Sequence, residues 1–223
     1  MRAITRVVIA AVGLLMLTSQ TAIAQGAFDV AVSFELSDTK IKANPAIKIH
    51  IEQPAGQPEM GHVTLKIPKG FKLPPDAKIE NGDVLGSADL SIDAGPGCRG
   101  LPPPNAPATF PDREIVEQDR TDEQTDRGVK AVWVVDLQPV TSIPLEVTGS
   151  KKKGWKLDGD IPANDNTCPP IVFDAEIGPT STTGGVPLLI NAAVAKDYVF
   201  KAIFTTQQAP DVDKNNQIIT LTP

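Results

Sequence analysis

Residues 60–92 read MGHVTLKIPKGFKLPPDAKIENGDVLGSADLSI, and the fold is decided there. Val63, Leu65 and Ile67 alternate with Thr64 and Lys66, which puts apolar side chains on one face of a pleated strand and polar ones on the other. Pro68-Lys69-Gly70 ends the run because proline has no N–H to give a ladder, and Pro74-Pro75 keeps the next segment extended. Asn81-Gly82-Asp83 is a turn signal, and Leu85, Ala88, Leu90 and Ile92 mark a second strand interrupted by Gly86. The stretch therefore reads as strand, stiff connection and returning strand.

The same period of two runs outward in both directions. Upstream, Phe28, Val30, Val32, Phe34 and Leu36 alternate with Asp29, Ala31, Ser33 and Glu35, and after the turn at Asn44-Pro45 the pattern returns at Ile47, Ile49 and Ile51. Downstream, Val129 to Leu137 is apolar on both sides at Val132 to Val135, as a central strand is. Further strands are expected around Ile143 to Val147, Trp155 and Leu157, Ile171 to Ile177, Val186 to Ile190, Tyr198 to Phe204 and Ile218 to Leu221. Connections this short leave no room for helical crossovers, so pairing is antiparallel. No segment has the length and stripe of a helix. The fold class expected is all-β, an immunoglobulin-like antiparallel β-sandwich of about ten strands.

Two segments lack the pattern. Residues 95–111, GPGCRGLPPPNAPATFP, bury little, and a subdivision of the body near residues 96–111 stays open; Pro102-Pro103-Pro104 reads as a stiff surface loop. Residues 112–128, DREIVEQDRTDEQTDRG, carry only Ile115 and Val116 as large apolar side chains and read as a short edge strand followed by a solvated loop.

The amino terminus is an address. Arg2 and Arg6 precede an apolar run from Val7 to Leu17, and Ala22-Ile23-Ala24 is the small-x-small pattern of a signal peptidase site. An eleven-residue run is too short to cross about 30 Å of hydrocarbon, so residues 1–24 are expected to be a cleaved signal peptide and residues 25–223 an exported, secreted or envelope-associated domain. Without Arg2 and Arg6 the chain has 19 basic against 27 acidic side chains, which argues against nucleic acid and against an anionic membrane as partners. In an exported chain the two cysteines, Cys98 and Cys168, are expected to form a disulfide; neither a second nearby Cys nor a nearby His completes a metal set.

Several motifs together resemble a known group. FDVAVSFELSDTKIKANPAIKIHI (residues 28–51), the corner Ile67 to Phe71 and the step Asp83 to Ala88 after Gly82 are similar to exported bacterial β-sandwich proteins, most familiar from actinobacteria, that have no assigned activity. The likeness covers mostly residues 27–92 and implies a secreted or envelope-associated sandwich; it carries no catalytic residue across.

Chemistry-bearing candidates are few. His50 and His62 would approach each other across a hairpin if their strands paired, giving a metal or acid/base site, but a zinc site needs a third ligand and the bland reading is two solvent-side histidines. Asp211-Val212-Asp213-Lys214-Asn215-Asn216 begins like a calcium loop but lacks Gly at the sixth position and Glu at the twelfth. Asp158, Asp160, Asn164, Asp165 and Asn166 read as a polar turn, and Asp119, Asp122, Glu123 and Asp126 as a self-repelling loop rather than a glycosidase pair. Lys151-Lys152-Lys153 beside Trp155 would suit an acidic polymer. There is no Gly-x-Ser-x-Gly elbow.

The expectation is thus a non-enzymatic structural or interaction module needing no cofactor, with a protein or glycan partner outside the cytoplasm. A carbohydrate-binding module is the alternative, with Trp133, Trp155 and Tyr198 exposed in a shallow row; a secreted hydrolase is the third reading.

Overall fold

Eleven strands and one short helix make up the described part of the computed structural model, which covers residues 28–54, 60–73, 79–92, 108–138, 141–161, 170–179, 188–207 and 214–221. In chain order they are β1 (Ala31–Leu36), β2 (Ile47–Glu52), β3 (Met60–Ile67), β4 (Val84–Ile92), β5 (Ala108–Gln118), α1 (Asp122–Asp126), β6 (Ala131–Leu137), β7 (Thr141–Ser150), β8 (Gly154–Asp160), β9 (Pro170–Ile177), β10 (Tyr198–Thr206) and β11 (Lys214–Leu221). The signal segment, Cys98, Cys168 and the calcium-like start at Asp211 and Asp213 lie outside the described residues.

All eleven strands belong to one antiparallel sheet, in the order β1-β2-β9-β4-β5-β6-β7-β8-β3-β10-β11. The alternation reads through to burial: Val63, Leu65 and Ile67 face inward, as do Tyr198, Phe200, Ala202 and Phe204, while Lys66, Val199 and Lys201 face out. Inward side chains from every part of the sheet join one core cluster. Phe71, which is fully buried, packs edge-on against Phe200 and Tyr198 with ring centroids 5.2 and 5.1 Å away, and Phe200 meets Phe34 at 5.2 Å.

The sheet curls until its two ends nearly meet. Asn215 and Gln217 on β11 face the interior, and their side-chain amides donate to the carbonyls of Phe28 and Val30, which lead into β1, at 3.3 and 2.9 Å. A two-sheet immunoglobulin-like sandwich is therefore not what the hydrogen bonding draws: one barrel-like sheet is nearly closed on itself. A curled sheet and a pair of packed sheets bury the same alternating face, so the sequence pattern does not separate them. What bends this sheet is irregular register. β4 shifts against β5 at Val84/Gly86 and Ala88/Leu90 and against β9 at Ser91/Ile92, and β10 shifts against β3 at Thr205/Thr206. Such bulges sharpen local twist and turn a strand's direction.

Three local expectations need correction. Residues 112–128 do not hold an edge strand: β5 is eleven residues long and lies inside the sheet between β4 and β6. The segment after it is not all loop, because Thr121 caps a helical turn, its hydroxyl accepting from the Gln124 N–H while the Gln124 side chain accepts from the Thr121 N–H. The charged sequence hid both, since only Ile115 is fully buried. Val186 to Ile190 is not a strand over its described part; Ile190 makes a single bridge to Lys72.

Candidate functional site

Every strand runs between the same two ends of the sheet, and one end carries a cavity. β5, β6, β7 and β8 bring Glu117, Trp133, Val147 and Trp155 to its wall, and the β5–β6 connection adds Asp119, Arg120, Thr125 and Lys130. Leu73, Ile79 and Leu188 complete an apolar side, and the volume is about 610 Å³. Register explains why the first two meet. Glu117 lies directly opposite Trp133 across β5 and β6, and shares the parity of the buried Ile115.

The rim is tied down by backbone and by charge. Gly82 N–H donates to the Glu117 carbonyl and the Glu117 N–H to the Asp83 carbonyl, so the Asn81-Gly82-Asp83 turn closes on the end of β5. Arg127 and the Gln124 amide both donate to Glu146 Oε1, at 2.6 and 3.0 Å, which clamps α1 to β7. Arg120 Nη1 donates to the Val129 carbonyl at 3.0 Å.

Inside this frame two polar atoms have unused capacity. Trp133 Nε1 and Glu117 Oε2 are buried, and neither has a hydrogen-bond partner of ordinary geometry, although the indole N–H lies close enough to favour the ionised carboxylate. Burial pushes the Glu117 carboxyl up to about 7; a hydrogen bond from the Val132 backbone, the Arg120 charge and the indole act against that rise, and Asp119 adds to it. The chemistry on offer is one donor and one carboxyl poised between its two protonation states, next to an apolar wall.

The residues singled out in the sequence fall in different places. Trp133 is 1% exposed and Tyr198 6%, the latter with its hydroxyl donating to the Val194 carbonyl, so the three aromatics do not form an exposed row. Trp155 is half-buried and donates from Nε1 to the Phe71 carbonyl at 3.1 Å. His50 and His62 are not brought together, because β2 and β3 are not neighbours in the sheet. His50 Nδ1 meets Asp174 Oδ1 at 2.7 Å on one part of the outer face. On another part His62 lies between Asp160 (2.6 Å) and Asp158 (3.0 Å). Burial opposes ionisation of Asp158, yet Lys156, Thr64 and His62 outweigh it and hold its carboxyl below the usual range. Among the described residues no group of three or more His, Cys, Asp or Glu is placed to hold a metal. Asp119, Asp122, Glu123 and Asp126 are all exposed.

A second, smaller cavity of about 70 Å³ occupies the interior nearer the opposite end, between Ile51, Met60, Leu137, Ile161 and Phe173 among others, all apolar. Such a space stays dry and offers nothing that would orient a ligand.

No protein-family model matches the chain, and no curated protein is similar to it. Among the described residues no helix is long and apolar enough to cross a membrane, which says nothing of crossing by strands.

Proposed function

We propose that this chain is an exported, non-enzymatic binding protein in which the curled sheet is the scaffold and the end containing Glu117 and Trp133 receives a small ligand. The observation that carries this reading is a 610 Å³ cavity lined by Glu117 and Trp133, each of which has a buried polar atom short of a hydrogen bond of ordinary geometry. A buried donor or acceptor without a good partner costs about 1–3 kcal/mol, and a small side-chain movement that opens this pair to the cavity would let a ligand hydroxyl accept from the indole N–H and donate to the carboxylate. Leu73, Ile79, Val147 and Leu188 would take the ligand's apolar body. The class that fits is therefore a neutral, hydroxylated small molecule such as a single sugar ring. Binding rather than turnover is supported by the separation of His50 from His62 and by the outward placement of the four loop carboxylates.

Export rests on residues 1–24 and on the resemblance to exported bacterial proteins, and makes the mature chain begin at Gln25. The test is intrinsic tryptophan emission titrated with a panel of neutral mono- and disaccharides. A saturable change with at least one of them, lost in Trp133→Phe and Glu117→Ala, is expected. A flat response throughout would remove the cavity as a sugar site, and release of a product would remove the non-enzymatic part.

A further inference from the structure

The outer face of the sheet carries an electrostatic arrangement that folding does not explain. Lys201 on β10 lies directly opposite Lys66 on β3, and Lys66 lies directly opposite Lys156 on β8. Three ammonium groups thus stand in one row across three adjacent strands, whose spacing is about 4.8 Å. Like charges placed directly opposite on one face destabilise a sheet. Only Lys156 is paired, with Asp158 Oδ2 at 2.6 Å; among the described residues no carboxylate reaches Lys66 or Lys201. Nor does the row guard an edge, the common use of strand lysines, because β8, β3 and β10 are all interior strands.

The row borders a groove. Lys66, Lys153, Lys156 and Lys201 line a furrow of about 370 Å³ together with Trp155 and the exposed Val199. Lys151 and Lys152 stand exposed in the same β7–β8 turn as Lys153. These six lysines belong to a chain of net charge −6, so the other 15 basic and 27 acidic side chains leave the rest of the molecule at −12. The concentration of positive charge on one strip of an acidic body is the observation to be explained.

We infer that this strip is a docking groove for an anionic glycan, a linear polysaccharide bearing carboxylate, sulfate or phosphate on successive units. Charge complementarity supplies the attraction, and repulsion between the lysines, unpaid in the free protein, is relieved on binding. An open furrow beside a half-buried indole offers its row of ammonium groups and an aromatic edge to a chain of sugar rings. The acidic remainder of the molecule disfavours an anionic bilayer and duplex nucleic acid, both of which would approach more of the protein than the groove. This inference goes beyond the proposed cavity ligand and does not depend on it, although Trp155 borders both places.

The experiment is calorimetric titration of the full mature chain with a sulfated hexasaccharide and with hexagalacturonate, with maltohexaose as the neutral control. Phosphatidylglycerol vesicles and a single-stranded oligonucleotide are run alongside. Expected is binding to one or both anionic hexasaccharides, weakened by added salt, absent with maltohexaose, and reduced about fivefold to tenfold in each of Lys66→Gln and Lys201→Gln. Both variants should melt no lower than the parent, since each removes a repulsion, so a loss of affinity is not a loss of fold. Asp158→Asn, which frees Lys156, should tighten binding. Equal affinity for the neutral and anionic hexasaccharides, tighter binding to vesicles or oligonucleotide than to either glycan, or unchanged affinity in both lysine variants would overturn the inference.

Discussion

Gln217 Nε2 donates to the carbonyl of Val30 at 2.9 Å, so the last strand of the sheet reaches the chain entering the first through a side chain. The same amide donates to Asn215 Oδ1 at 2.8 Å, and Asn215 in turn donates to the Phe28 carbonyl. Two buried amides do the work that a backbone ladder does between every other pair of neighbouring strands.

Replacing Gln217 with Leu keeps the volume and removes the donor, leaving the Val30 carbonyl and Asn215 Oδ1 without it. An unsatisfied buried acceptor costs about 1–3 kcal/mol, so urea unfolding should show a loss of that order. Faster amide exchange should be confined to β1 and β11. An unchanged midpoint with unchanged exchange would show that apolar packing alone holds the seam.

The raised Glu117 carboxyl makes a pH prediction with a definite sign. Its value in the fold is about 7 against 4.5 for an ordinary glutamate, so between those limits the native state holds a proton that the unfolded chain has released. The contribution is fully present below about 4.5 and is lost as pH rises toward and through 7. Allowing for partial exposure to water, the loss is about 1–2 kcal/mol. Relative to the parent, Glu117→Gln should gain about that much between pH 5 and pH 8 in urea midpoints read at each pH. Parallel pH profiles for the two proteins would show that Glu117 titrates normally.

How much of this was legible in the sequence follows from which relationships are local. Strand identity and the inward face of Val63, Leu65 and Ile67 are written in a period of two, as are those of Tyr198 to Phe204. Glu117 was legible in principle: it stands two residues after Ile115 on the same face, but its surroundings of Asp, Glu and Arg read as solvated loop. Asn215 and Gln217 share the inward parity of Ile219, and their partners, Phe28 and Val30, are 187 residues away, a distance across which alternation carries no information. The lysine row is likewise invisible, because Lys66, Lys156 and Lys201 become neighbours only through strand order and register.

Gly86 is the point where β4 has least freedom. A Cβ built there would overlap the Glu176 carbonyl oxygen and come within 2.9 Å of Ile177 Cα, both backbone atoms of β9. On the other side, β4 shifts register against β5 between Val84 and Gly86. Gly86→Ala should therefore push two central strands apart and destabilise by about 2–4 kcal/mol, at the upper end of single-residue effects. Thermal melting of the variant decides it, and a midpoint within a degree or two of the parent would mean that β9 moves aside freely.

The last prediction concerns the cysteines, which lie outside the described residues while the strands leading to them do not. Ile92, at the end of β4, is the register partner of Pro170, at the start of β9. In the sequence Cys98 follows the first by six positions and Cys168 precedes the second by two. We propose that they are bridged in the exported protein. The loop so closed is about seventy residues, for which restriction of the unfolded chain is worth roughly 4 kcal/mol. Intact mass under non-reducing conditions should be two hydrogens lighter than after reduction, with no alkylation until reductant is added, and reduction should lower the urea midpoint. Two thiols that alkylate in the untreated, denatured protein would show that the bridge does not form.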